Sequence, residues 1–457
     1  MSNYVFDRKP KIVPLVDTNF RKIATTIPAS GTESIMDKLD KLESRSMHGQ
    51  LPLVWHTAND FSITDHLGNR WIDFTSTIFV ANVGHSNPHV IERVQECLSS
   101  SIIACYAYPN EIRARYLEKL LNFAGHGFEK AFLLSAGTEA TEAAFKLMKM
   151  HGQKIGKNNS LVIGISGNWH GRTMGAQLLS DNKNQKEWIE DKNYPTKHLR
   201  FPYPWLVNEE NALEFLEDSI KELENSGLSI QDNVCGIMLE TFQGWGAFFY
   251  PKAYVQAIRA ICDKYQILLC FDEMQSGFGR TGKNFGYEHY EVEADLLCIG
   301  KGMGGGFPIS GVLGKASIMD LPDIGNMSST HSGNPTMCAA ALGVIEEIDT
   351  KNLVQKSQST GNLLHTNLRK LQLEFPALIS GIYGKGMIAS IVFAHNGDNS
   401  EISTFVSRLS ERIMQKGVLV VHTGRESIKI GPPLTIPDDA LLEGISVIRE
   451  AIFELLK

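Results

Sequence analysis

The chain lacks any uninterrupted apolar run near the about 18–20 residues that span a bilayer, so no transmembrane helix is expected. Its opening, Met1–Pro10, has no apolar core of the kind a secretory leader needs, and no signal peptide is expected. An excess of basic charge is also missing. With 44 Lys and Arg against 51 Asp and Glu the formal net charge is −7, which gives no footing for nucleic acid or an anionic membrane as partner. The seven cysteines are scattered, odd in number and without a Cys-x-x-Cys pair. That argues against a disulfide framework or a thiolate zinc site and fits reduced core thiols in a cytoplasmic protein. No histidines are grouped with a carboxylate in the manner of a metal site, so no metal is expected. There is no internal repeat and no low-complexity tract, and Asn396–Ser400 reads as a polar loop. What remains is a chain of 457 residues, 43% hydrophobic and 21% charged, long enough for a large core and two domains.

Residues 1–79 read as a polar arm with one amphipathic stretch near Glu33–Leu42, then a hairpin of Phe61–Asp65 and Trp71–Phe74. Across 80–340, short apolar runs alternate with helical segments. The runs are Lys130–Leu134, Leu161–Ile165, Gly236–Glu240, Ile267–Asp272, Leu296–Gly300 and Ile309–Leu313. This alternation predicts a large α/β domain with a mostly parallel sheet covered on both faces. Residues 341–457 begin with a long helix and continue with strands at Met387–Phe393, Val418–His422 and Ile428–Ile430. They close on an amphipathic helix, Asp438–Lys457, giving a smaller α+β domain that the early hairpin is expected to join.

Two of the apolar runs end in chemistry. One runs from Ile267 into Asp272-Glu273-Met274-Gln275; the other runs from Leu296 into Gly300-Lys301 and a glycine-rich loop. Open α/β sheets place their sites at the carboxyl ends of the strands, so these neighbours would present an acid and an amine to one crevice. Pyridoxal phosphate needs that pair, a lysine to hold its aldehyde and an aspartate to keep its ring nitrogen protonated. Taken singly, Asp272 reads as a turn cap and Lys301 as a surface lysine. The longer text, Asp272 to Gly282 and Gly300 to Gly311, resembles the class III aminotransferases of PLP fold-type I, which include the ornithine, 4-aminobutyrate and other ω-amino acid enzymes. The resemblance runs from about Trp71 to the C-terminus.

That resemblance implies a set of cofactor contacts. Ser135-Ala136-Gly137-Thr138-Glu139 opens a helix; from the residues alone it is an N-cap box as readily as a phosphate site, and the resemblance gives Gly137 and Thr138 the phosphate. In Trp169-His170-Gly171-Arg172-Thr173, Trp169 would stack on the pyridine ring, with His170 beside it and Met274 on the opposite face. Gln275 would reach the phenolic oxygen, and Glu240 is kept from the same family pattern. Thr330, before Gly333-Asn334-Pro335, would bind the phosphate of a neighbouring subunit, which implies a homodimer with shared sites.

Two positions depart from the family. A gating glutamate is replaced by Trp245, and the arginine it pairs with, before Pro432-Pro433-Leu434, is replaced by Lys429. A lysine offers a point charge where arginine offers a planar fork. Lys429 remains the candidate for the substrate carboxylate and Trp245 for a pocket wall; Arg425, four residues before Lys429, could assist it but reads first as a solvated loop arginine. Tyr108 lies where the family has a pocket tyrosine, and aromatic core is the alternative from residues alone. The expected activity is PLP-dependent transfer of an amino group between a primary amine or amino acid, 4-aminobutyrate/ornithine-like or amino-sugar-like, and a 2-oxo acid, with Lys301 and Asp272 catalytic. An amino acid racemase or epimerase, a decarboxylating transaminase or an aminomutase would need the same two residues. A non-catalytic binding protein would have no use for the lysine.

Overall fold

The computed structural model of the protein describes residues 4–125, 127–190, 193–394 and 400–457. The polar stretch at 396–399 lies outside them. The chain divides into two units. One comprises Pro88–Gly244 and Phe248–Gln355; the other gathers the residues up to Asn87, Trp245–Ala247 and Lys356–Lys457.

In the first unit, runs rich in Val, Ile, Leu and Phe form seven strands: β1 Lys130–Leu134, β2 Leu161–Ile165, β3 Thr196–Leu199, β4 Val234–Glu240, β5 Leu268–Asp272, β6 Leu296–Ile299 and β7 Ser310–Gly314. They make one sheet in the order β1-β7-β6-β5-β4-β2-β3. Six strands run the same way, and β7 alone is antiparallel to both its neighbours. Every residue of β4, β5 and β6 is buried, which is why those segments read as unbroken apolar runs. The helix Gly137–Lys154 lays Ala140, Ala144, Leu147 and Met148 against Val162, Met238, Cys270 and Cys298. Its alanines allow close approach to the sheet, and each fully buried Leu or Met contributes about 1.5–3 kcal/mol of burial. All seven cysteines are free thiols, six of them buried and Cys105 partly so.

The sequence did not announce β3. Its Thr-Lys-His-Leu text carries only two fully buried residues because the strand lies at the sheet edge, with a single strand neighbour. The run expected at Ile309–Leu313 forms β7 one residue further on.

In the second unit, Ser62–Thr64 and Arg70–Asp73 form the expected hairpin, with Ile63 opposite Trp71. Arg70–Asp73 also pairs in parallel with Val418–Leu419. Trp71 is fully buried and its indole N–H donates to the Met414 carbonyl at 2.7 Å. A four-stranded sheet runs Gly381–Lys385, Ile388–Val392, Ser427–Ile430, Val421–His422. Its first strand, bracketed by Gly381 and Gly384, gave no apolar signal in the sequence. Among the described residues no helix is long and apolar enough to cross a membrane.

Candidate active site

The carboxyl ends of β1, β2, β4, β5 and β6 share one edge of the sheet, and the chemistry foreseen in the sequence collects there. Asp272 stands opposite Glu240 on β4 and opposite Cys298 on β6, three residues before Lys301. Asp272 is nearly fully buried. Its Oδ2 lies 2.8 Å from His170 Nδ1, and its Oδ1 accepts the Met274 N–H at 3.0 Å. A carboxylate can only accept, so His170 donates from Nδ1. His170 Nε2 is buried without a partner among the described residues.

Lys301 follows Gly300 at the end of β6 with φ of 48°, a left-handed conformation that costs a non-glycine residue about 1–2 kcal/mol. Strain of this size persists where the surroundings dictate it, and here it turns the lysine out of the strand path. Burial holds its ammonium pKa below the usual lysine range, with Asp272 and Glu240 acting the other way. More of the free amine, the form that attacks an aldehyde or takes a proton, is therefore present at neutral pH.

Gly137 and Thr138 open the long helix after β1. The Glu139 carboxylate reaches back to the N–H groups of Ser135 and Ala136, both at 2.9 Å, so the capping reading of this segment holds. Thr138 Oγ1 lies 2.7 Å from Thr173 Oγ1, which ties the helix start to the loop after β2. The first turn remains the positive end of an 18-residue helix. A Cβ added at Gly137 or Gly300 would come within 2.9 or 2.6 Å of the Met274 sulfur, so both glycines leave room for that side chain.

Trp169 is partly exposed rather than core, and the Arg172 guanidinium covers one face of its ring at 4.7 Å. Its backbone N–H donates to Glu240 Oε2 at 3.0 Å; Gly244 N–H reaches the same oxygen at 3.4 Å, and the Gln275 amide donates to Oε1 at 3.1 Å. Glu240 thus joins three loops, and burial pushes its carboxyl up to about 7. Glu273, which the sequence reading passed over, is fully buried. It accepts from Thr241 Oγ1, from Ser276 Oγ at 2.7 Å, and from the N–H groups of Gly286 and Tyr287 at 2.8 and 2.7 Å. Burial raises its carboxyl to about 7 against the pull of those bonds. No local text could have revealed it, because its donors come from both sides of the motif.

Two foreseen residues of this unit are exposed. Thr330 is exposed on the segment before the helix Pro335–Thr350. Tyr108 is 77% exposed, which removes the aromatic-core alternative; Arg113 braces its carbonyl at 2.8 Å.

The second unit carries Trp245, Lys429 and Arg425. Ser427 Oγ donates to the Trp245 carbonyl at 2.8 Å and Ser390 Oγ to the Gly246 carbonyl. Ser390 is the cross-strand partner of Lys429, and Ser427 is two residues before it. Residues two apart on a strand share a face, so Lys429 faces the side to which the Trp245 segment is stitched. Lys429 is buried, its Nζ 4.7 Å from the centre of the Phe79 ring. Phe79 ends a left-handed turn in which Ser76, Thr77, Ile78 and Phe79 have φ of 45°, 55°, 60° and 68°. β-Branched residues rarely adopt such angles, and nothing in the sequence announced them. Arg425 was expected in solvent; its guanidinium instead lies 4.0 Å over the Trp245 ring.

Taken together, the first unit offers a lysine with a depressed pKa, a buried aspartate held by two donors, an indole with one face covered, and a helix start. These match an aldehyde, a basic ring nitrogen, a flat aromatic ring and a phosphate, the four features of pyridoxal phosphate. The sequence as a whole matches the family model described as aminotransferase class-III over residues 44–452. It is 33% identical to the 5-aminovalerate aminotransferase of Pseudomonas aeruginosa, covering 93% of this chain and 99% of that protein. It is 30% identical to the ornithine aminotransferase of Saccharomyces cerevisiae, covering 90% and 96%. The fold matches an amine transaminase from an uncultivated Pseudomonas species, solved with pyridoxal phosphate bound. The TM-score is 0.80 at 24% identity, over 88% of this chain and 94% of that one.

Proposed function

This chain belongs to the class-III aminotransferases, pyridoxal-phosphate-dependent enzymes, and from that premise we propose how its own residues carry transamination and which substrates it takes. Bound pyridoxal phosphate supplies an electron sink that lets an amino group leave one substrate and pass to a 2-oxo acid. Lys301 would hold the cofactor, and its Nζ, when free, would take the proton from the amine-bearing carbon. Asp272, aimed by His170 and the Met274 N–H, provides the negative charge for the ring nitrogen. Trp169 and Met274 would bracket the ring, Gly137 and Thr138 would receive the phosphate, and Gln275 with Glu240 would fix the phenolic side.

The observation that carries this assignment is the pairing of adjacent parallel strands that end in Asp272 and Gly300-Lys301. The two curated relatives are both named for substrates that carry a primary amine on a chain ending in a carboxylate. An ω-amino acid is therefore the proposed donor, with Lys429 holding its carboxylate and Trp245 and Tyr108 lining its path. Thr330 and Tyr108, both exposed on the single chain, support a homodimer in which each subunit completes the other's site. Seven unbridged thiols support a reducing, cytoplasmic location.

The test is the holoenzyme with 2-oxoglutarate and a panel of donors: 5-aminovalerate, ornithine, 4-aminobutyrate, alanine and an amino sugar. The ω-amino acids are expected to give glutamate fastest. Turnover confined to alanine or the amino sugar would refute the proposed donor class.

A further inference from the structure

Gly171 and Thr173 belong to the stretch that carries Trp169 and His170, and both meet Thr138 at the opening of the helix Gly137–Lys154. Gly171 has φ of 138°, and a Cβ there would overlap the Thr138 hydroxyl oxygen, so the missing side chain makes room for Thr138. Thr173 faces that oxygen twice. Its backbone N–H donates to Thr138 Oγ1 at 3.3 Å, and its own Oγ1 lies 2.7 Å away. The loop does not depend on this hydroxyl pair for its place. The Thr141 hydroxyl donates to the His170 carbonyl at 2.8 Å, and the Glu142 carboxylate accepts from Gly175 N–H at 2.8 Å and Ala176 N–H at 3.3 Å.

We propose that Thr173 is a positioning residue for the cofactor phosphate, donating its hydroxyl hydrogen to Thr138 so that the Thr138 hydroxyl donates to the phosphate. A hydroxyl has one hydrogen and two lone pairs, so only one of the two threonines can be the donor in their shared bond. A phosphate monoester above its second pKa of about 6 only accepts. Were Thr138 the donor to Thr173, it would turn a lone pair toward that negative charge. With Thr173 as donor, its backbone N–H and its hydroxyl fill both lone pairs of Thr138 Oγ1, and the hydrogen is what Thr138 has left to present. The two bonds then run in one direction and polarise each other. This inference rests on the assignment of the phosphate to Thr138 and names the residue that sets the direction of its hydroxyl.

The experiment titrates the full chain, stripped of cofactor, with pyridoxal phosphate and with pyridoxal, which lacks the phosphate, and follows the visible absorbance. Wild type, Thr173→Val, Thr173→Ser, Thr138→Val and Thr138→Val combined with Thr173→Val are measured side by side, with thermal melts as a folding check. In Thr173→Val the half-saturating concentration of pyridoxal phosphate rises about tenfold, as loss of a charge-assisted contact requires, while that of pyridoxal stays at the wild-type value. Thr173→Ser, which keeps the hydroxyl, retains the preference for the phosphate. In the Thr138→Val background the change at Thr173 has no further effect. An unchanged preference in Thr173→Val, an equal rise for both ligands, or full additivity in the combined variant overturns the inference and leaves the phosphate on Thr138. An undiminished preference in Thr138→Val removes Thr138 from the phosphate and this inference with it.

Discussion

Glu273→Gln isolates the buried carboxylate beneath the Asp272 loop. In the wild type two hydroxyls and two backbone N–H groups converge on its two oxygens. Glutamine keeps one oxygen and turns an NH2 toward the other pair. The hydroxyl of that pair can rotate to accept, but the backbone N–H cannot, so one buried donor loses its acceptor, at about 1–3 kcal/mol. The pH dependence has a definite sign. The folded-state pKa of Glu273, about 7, lies above the ordinary 4.5. Folded protein therefore binds more protons than unfolded protein between those values. The stability linked to this group is fully present below pH 4.5 and is lost as pH rises through 7. At 1.36 kcal/mol per pKa unit, that loss is about 3–4 kcal/mol at most. The glutamine variant has no such loss. Melts of both proteins at matched, saturating cofactor across pH 5 to 8.5 should show the variant clearly less stable at the acid end. The gap should narrow by a few degrees toward the alkaline end. The shared contribution of Glu240, also raised to about 7, cancels in the difference. A gap that stays constant, or widens with pH, refutes the reasoning.

Asp272→Asn keeps the shape of the side chain and removes its charge. Single-turnover rates with a good donor should fall by about 10²–10³-fold, the range for loss of one preorganised group that stabilises charge, while cofactor remains bound. A loss of less than about tenfold, at full cofactor occupancy, would mean the charge is not used. Thr330→Ala removes one proposed hydrogen bond to a phosphate. The pyridoxal phosphate concentration for half-reactivation of apoenzyme should rise about tenfold, equivalent to about 1.4 kcal/mol. An unchanged requirement would remove Thr330 from the site.

The sequence was most legible where burial leaves no choice. β1 and β2 have the bounds read from their apolar runs; for β2, inside the sheet, coverage of both faces requires that continuity, while β1 is an edge strand that happens to be apolar after Lys130. Edge strands escape that rule: Thr196–Leu199 and Gly381–Lys385 carry polar or glycine positions and gave no signal. The placement of Asp272 and Lys301 at the ends of adjacent strands was legible because each follows an unbroken apolar run. The buried setting of Glu273 was not, because it is defined by donors at 241, 276, 286 and 287 that only folding assembles. Arg425 was misread for the same reason. Whether a loop arginine is solvated or stacked depends on a tryptophan 180 positions away in the chain. The left-handed turn at Ser76–Phe79 runs against the propensities of Thr77 and Ile78, so local text pointed away from it.

Lys301 is the lysine proposed to carry the cofactor. Reducing the pyridoxal-phosphate-loaded enzyme with borohydride fixes the cofactor to whichever amine holds it, and peptide mass spectrometry then identifies the residue. A phosphopyridoxyl group is expected on Lys301 alone, and it should disappear together with turnover in Lys301→Ala. Labelling of a different lysine, or an unlabelled and fully active Lys301→Ala enzyme, would contradict it.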